Sequence, residues 1–131
     1  MADKKNKKKS LLCVLEVLKE YSDKNHILKQ SELLDLIDMN YDLKIDRRTL
    51  YANVALLKEF GYDISDFSDN GYGYYLGERY FSERDIKTLV TTLQKDEEIS
   101  DFTKDRIVDK LVSSQSKYRI QELKKKLGLY K

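Results

Sequence analysis

One change of rhythm limits what this chain can fold into. Up to Gly61 its apolar residues recur every three or four positions, the period of an amphipathic helix. From Tyr62 to Leu76 they alternate, in "YDISDF" and "YGYYL", the period of a half-buried strand. Between these stretches stands Asp69-Asn70-Gly71, and an Asn-Gly pair suits the two positive-φ positions of a type I′ hairpin turn. From Ser82 the helical period returns and holds to Gly128. No proline interrupts any of these runs. The order predicts a mainly α fold with a small β-hairpin: a winged helix-turn-helix followed by a C-terminal helical extension.

The individual helices have readable ends. Leu11, Val14, Leu15, Leu18 and Tyr21 predict a first helix from about Lys9 to Ser22. Gln30 and Ser31 open a second, with Leu33, Leu34 and Ile37 turned inward. Asp46 is a good N-cap for the third, and Gly61 a good residue to end it. Ser82 with Asp85 makes a capping box ahead of Ile86, Leu89, Val90 and Leu93. Thr103 is the expected cap of a helix carrying Ile107, Val108, Leu111 and Val112. After a break at "SSQSK", Tyr118, Ile120, Leu123 and Leu127 mark a last helix.

The third helix, in "KIDRRTLYANVALLKEFGYDI", has two unlike faces. At about 100° per residue from Leu50, Val54, Leu57, Phe60 and Leu56 form one apolar stripe that faces the core. Arg48, Tyr51, Ala52 and Ala55 fall opposite. Two alanines there permit close approach to a broad surface such as a major groove. Asn53 looks like an adenine reader, but its angle of about 300° lies inside the apolar stripe and makes it structural. An Arg-Arg pair by itself is also what a solvated helix end looks like. Its place after a short helix and turn and before a hairpin favours DNA contact.

Composition narrows the remaining classes. Hydrophobic residues are 40% of the 131, enough for a core, and no apolar run reaches the ~20 residues of a membrane span. The basic start is no signal peptide, because Glu16, Lys19 and Glu20 interrupt its apolar part. Cys13 is the one cysteine, so no internal disulfide forms and a cytoplasmic setting is expected. His26, the one histidine, lies in a loop outside any catalytic motif, and no P-loop, GxGxxG, HExxH or CxxC occurs. An enzyme, a metal and a cofactor are therefore not expected. Charge is uneven: residues 1–10 carry net +4, residues 11–81 net −5 and residues 82–131 net +3.

"DRRTLYANVALLKEFGYDI", followed by "GYGYYL" and "RYFSERDIKTL", resembles the N-terminal part of bacterial WYL-domain transcriptional regulators. "RIVDKLVSSQSKYR" resembles the connector helices beyond it, so the likeness covers about Leu11 to Leu127. It implies a DeoR-like winged helix joined to a helical connector. The chain departs at Ala52, where such proteins often have Arg, and at Asn53, where they often have Asp. The WYL domain is absent from these residues, and there is no Trp.

These readings lead to a sequence-specific DNA-binding regulator, repressor-like, that reads the major groove of double-stranded DNA with the helix at 47–60. The expected divisions are a basic flexible arm at 1–10, a winged helix-turn-helix DNA-binding domain at 11–81 and a helical connector and dimerisation region at 82–131. Arg48 is the expected guanine reader, and Thr49 reaches a base edge or a phosphate. Arg47 and Tyr51 hold phosphates, with Lys44, Gln30 and Ser31 on the backbone beside them. Asn70 is the candidate at the wing tip. Lys4, Lys5, Lys7, Lys8 and Lys9 form an arm supplying sequence-independent affinity. The apolar faces of residues 82–131 are numerous enough to pair two copies into a homodimer. The alternative is a winged helix that binds another protein, which the acidic middle segment and the alanines also suit. Neither an operator nor a small-molecule effector is legible.

Overall fold

The computed structural model describes residues 4–129. Seven helices and one two-stranded antiparallel sheet are found among them, in the order α1 (Lys4–Tyr21), α2 (Gln30–Tyr41), α3 (Arg47–Glu59), β1 (Ile64–Ser65), α4 (Phe67–Asn70), β2 (Tyr75–Leu76), α5 (Glu83–Gln94), α6 (Asp101–Val112) and α7 (Lys117–Lys126). The chain divides into two compact units, residues 1–77 and 78–131, so the boundary lies four residues before the expected one. No described helix is long and apolar enough to cross a membrane.

The first unit has the order of a winged helix. Val14 and Leu18 of α1, Leu33 and Ile37 of α2, and Leu50, Val54 and Leu57 of α3 are buried together with Ile64 and Leu76 of the sheet. Each such side chain, once fully buried, contributes about 1.5–3 kcal/mol. The turn from α2 to α3 bends at Asp42, whose φ of 51° is the only positive one on a described non-glycine residue. Asp46 then caps α3, accepting a 2.8 Å hydrogen bond from the Thr49 N–H. Gly61, with φ 99°, ends it. Leu56 and Phe60 were expected in the core, yet they are 39% and 77% exposed. Phe60 lies beyond Leu57, the last buried residue of α3, and Leu56, at the flank of the stripe near about 240°, turns away from the core.

The basic arm is a helix. Residues 1–3 lie outside the described residues, but from Lys4 the lysines form the first turns of α1. Lysine is a good helix former, and nothing in this stretch breaks a helix. One tertiary bond then ties the helix to α3. Ser10, 1% exposed, donates to the Lys7 carbonyl and accepts from Asn53 of α3 at 3.1 Å.

The wing also departs from the expected two-residue turn. Residues 64–65 pair with 75–76 in the register Ile64↔Leu76 and Ser65↔Tyr75. Nine residues connect them, and four of these form the single-turn helix α4. Asp66 caps α4 with a reciprocal Asp66–Asp69 capping box. Gly71, with φ 74°, ends α4 rather than turning a hairpin. A third segment joins the sheet: Leu28, before α2, exchanges two backbone hydrogen bonds with Tyr74, at 2.9 and 2.7 Å. The approach is so close that a Cβ at Gly73 would overlap the Leu28 carbonyl oxygen.

The second unit is a three-helix bundle around Ile86, Val90, Val108, Val112 and Leu123. Its caps are Ser82, Ser100 and Ser116. Ser100, not Thr103, caps α6, because the Thr103 N–H is the donor to the Ser100 hydroxyl. Glu83 of α5 receives Arg119 and Lys126 of α7 at 2.9 and 3.3 Å.

Candidate nucleic-acid interface

The candidate interface lies on the outer side of α3. Burying Leu50, Val54 and Leu57 inward forces the residues half a turn away outward. Arg47, Arg48, Tyr51, Ala52 and Ala55 are all exposed. Neither arginine has an ion-pair partner among the described residues. Lys44 is exposed in the preceding turn, and Ser31 is exposed at the start of α2. Asp46 stays ionised below its ordinary carboxylate range, held there first by the Thr49 N–H, then by the Thr49 hydroxyl, with Arg48 a smaller influence. Thr49 is half-buried, its N–H and hydroxyl both engaged with the cap.

Gln30 and Tyr51 come together. The Tyr51 hydroxyl donates to Gln30 Oε1 at 2.9 Å, bridging the start of α2 to the face of α3. Asn53 is turned inward as its angle predicts, 9% exposed and bonded to Ser10.

Asn70 is not a free wing-tip contact. Its Nδ2 donates to Ser65 Oγ at 2.8 Å and to the Gly73 carbonyl at 2.9 Å. Its Oδ1 accepts from the N–H groups of Tyr72 at 2.7 Å and Gly73 at 2.9 Å. Both donors and both lone pairs are spent inside the loop, so the residue shapes the wing rather than reaching out from it.

The acids of the wing are also engaged. Lys58 of α3 places its ammonium 3.0 Å from both Asp66 Oδ2 and Asp69 Oδ2. The Asp66 carboxyl is pushed down to about 2, first by the Ser68 hydroxyl, with Lys58 and the Asp69 N–H adding to it against the opposing effect of burial. The two carboxylates raise Lys58 in turn. This double bridge pins α4 to α3 across a cleft of about 640 Å3 lined by Gln30, Tyr51, Val54, Ala55, Lys58, Asp66, Phe67, Ser68 and Tyr74. Lys58 follows Tyr51 and Ala55 at helical spacing, so its place on this face is readable in the sequence. The cleft itself exists only because α4 folds back.

Outside this face, His26 Nδ1 lies 2.9 Å from Asp23 Oδ1 in the loop after α1. Cys13 is buried, and burial pushes its thiol up, which makes it a poor nucleophile. No group of side chains suited to holding a metal ion is found among the described residues.

Compared with known proteins, the chain matches no family model, no curated protein and no solved structure.

Proposed function

We propose that this protein is a sequence-specific DNA-binding regulator that places α3 in the major groove. The observation that carries the reading is the exposed, unpaired Arg47-Arg48 at the start of α3, beside a face flattened by Ala52 and Ala55. Arg48 has the fork geometry for guanine O6 and N7. Arg47 and Lys44 flank it at the helix start, where free N–H groups favour a phosphate. Ser31, at the start of α2, takes a neighbouring phosphate. Tyr51 and Gln30 act as a bonded pair on the backbone.

Electrostatic pull comes from α1, because residues 11–81 carry net −5. Lys7, Lys8 and Lys9 are exposed on the helix that Asn53 ties to α3. As parts of a helix they hold phosphates at fixed spacing, at a lower entropy cost than a flexible arm. The likeness to WYL-domain regulators supports the same reading through Arg47-Arg48-Thr49-Leu50-Tyr51.

Selection from random duplexes at two salt concentrations tests the proposal. A recovered motif is expected, with affinity falling ~10³-fold or more between 50 and 200 mM salt if six or more phosphates are held. Failure to retain any duplex at the lower salt ends the reading. The second reading, a winged helix that binds protein, is favoured by the exposed Leu56, Phe60 and Phe67.

A further inference from the structure

The cleft between α3 and α4 has features that DNA reading does not use. Its volume, about 640 Å3, falls within the range of small-molecule sites. Tyr51, Phe67 and Tyr74 give it aromatic walls, and Val54 and Ala55 form an apolar floor. Phe67 is 60% exposed at the lip although it is a large apolar side chain.

Two observations point to the chemistry of an occupant. Tyr74 is only 3% exposed, yet its hydroxyl makes no hydrogen bond to any described residue. No fully buried side-chain polar atom among the described residues lacks a partner, so that hydroxyl is not fully closed off, and Tyr74 is one of the residues lining the cleft. It is a polar group on a residue of a mostly apolar wall, with no partner of its own among the described residues to hold it. The second observation is charge. Lys58 neutralises only one of the two carboxylates it bridges, so Asp66 and Asp69 leave one negative charge in excess at the rim. Aromatic faces add attraction for a cation.

We propose that this cleft binds a small planar aromatic ligand carrying an ammonium group. The ring lies between Tyr51 and Phe67 over Ala55. The ammonium faces Asp66, and a polar group of the ligand bonds the Tyr74 hydroxyl. Because Gln30 and Tyr51 line both the cleft and the reading face, an occupant excludes DNA from that face. The exclusion rests on the DNA-binding reading; the site does not.

Tyramine and 4-hydroxyphenylacetate test it, being the same phenol with opposite charges. Titrating the full chain with tyramine in ¹⁵N–¹H spectra is expected to move the amides of Ala55, Ser68 and Tyr74 together and to saturate at roughly millimolar concentration. The carboxylate should bind about tenfold more weakly or less well still. Tyr74→Phe should weaken tyramine several-fold, and Ala55→Phe should abolish it. Ala55 is exposed, so its variant should keep the wild-type circular dichroism. No saturable shift by ~50 mM, shifts centred elsewhere, or equal binding of the two probes overturns the proposal. Competition separates the two readings. Tyramine should weaken a selected duplex in the wild type, and several-fold more tyramine should be needed for the same effect in Tyr74→Phe, which leaves the reading face untouched. If no duplex binds while tyramine still titrates the cleft, the regulator reading fails and the site stands. If a duplex binds and tyramine does not, the site fails and the regulator reading stands.

Discussion

Asn53 and Arg48 lie five residues apart on one helix and have opposite fates, decided by angle alone. Asn53 is buried, and its Nδ2 donates to a Ser10 hydroxyl whose own hydrogen is given to the Lys7 carbonyl. An aspartate at 53 has no hydrogen to donate and would set a carboxylate against the Ser10 oxygen. Asn53→Asp is therefore expected to lower stability by ~1–3 kcal/mol, read as a drop in thermal midpoint. A midpoint that stays the same would mean Ser10 turns to donate to position 53. Arg48 is exposed and makes no ion pair among the described residues, so Arg48→Ala should leave stability unchanged. It should relax preference at one base pair by ~1–3 kcal/mol in a selection experiment. A preference that survives removes Arg48 as the base reader.

At the scale of elements, the wing shows how a loop becomes a wall. Gly73 passes against the Leu28 backbone with no room for a Cβ, and its N–H and carbonyl both bond Asn70. Gly73→Ala is expected to cost ~2 kcal/mol or more in a denaturant titration of the whole chain, because a backbone carbonyl cannot step aside as a side chain can. The bridge from Lys58 to α4 predicts a pH dependence. Asp66 titrates at about 2 against an ordinary 3.8, so its stabilisation is complete above roughly pH 4 and is lost as pH falls toward 2. Lys58 is raised, so its share is present below its ordinary 10.5 and is lost as pH rises through the raised value. Amide signals of α4 should therefore hold from about pH 4 to 10 and broaden outside that window. In Lys58→Met the acid limb should move to higher pH. An unmoved limb would assign the effect to the Ser68 hydroxyl and the Asp69 N–H.

For the molecule as a whole, the second unit changes the argument for pairing. Ile86, Val90, Val108, Val112 and Leu123 bury one another, and Leu93, Leu111 and Ile120 pack against them. The apolar faces that suggested a second copy are largely satisfied within one chain. Leu89 and Phe102 remain exposed, at 41% and 79%. A homodimer through residues 82–131 must use them, so Leu89→Glu with Phe102→Glu should turn a dimer into a monomer in light scattering. Both sites are open, so helicity should be unchanged. A mass that the double variant leaves unaltered removes these residues from any interface.

Much of this was local and therefore legible in the sequence. The periods of 3.6 and 2 placed the helices and the sheet. The Asp46 and Ser82 caps and the Gly61 and Gly128 stops come from interactions within a few residues. The inward turn of Asn53 and the outward turn of Arg48 follow from helical angle. Tertiary structure decided what depends on residues distant in sequence. The lysine arm can be helical by local propensity, but its tie to α3 comes from Asn53, 43 residues away, bonding Ser10. The Asn-Gly turn became the end of α4 because Lys58 draws Asp66 and Asp69 back to α3, while Leu28 takes the strand pairing at Tyr74. Leu56 and Phe60 fit the apolar stripe, but Leu56 lies at its flank and Phe60 beyond the last buried residue, Leu57. Angle shows which way a side chain points; only packing decides whether anything is there to meet it.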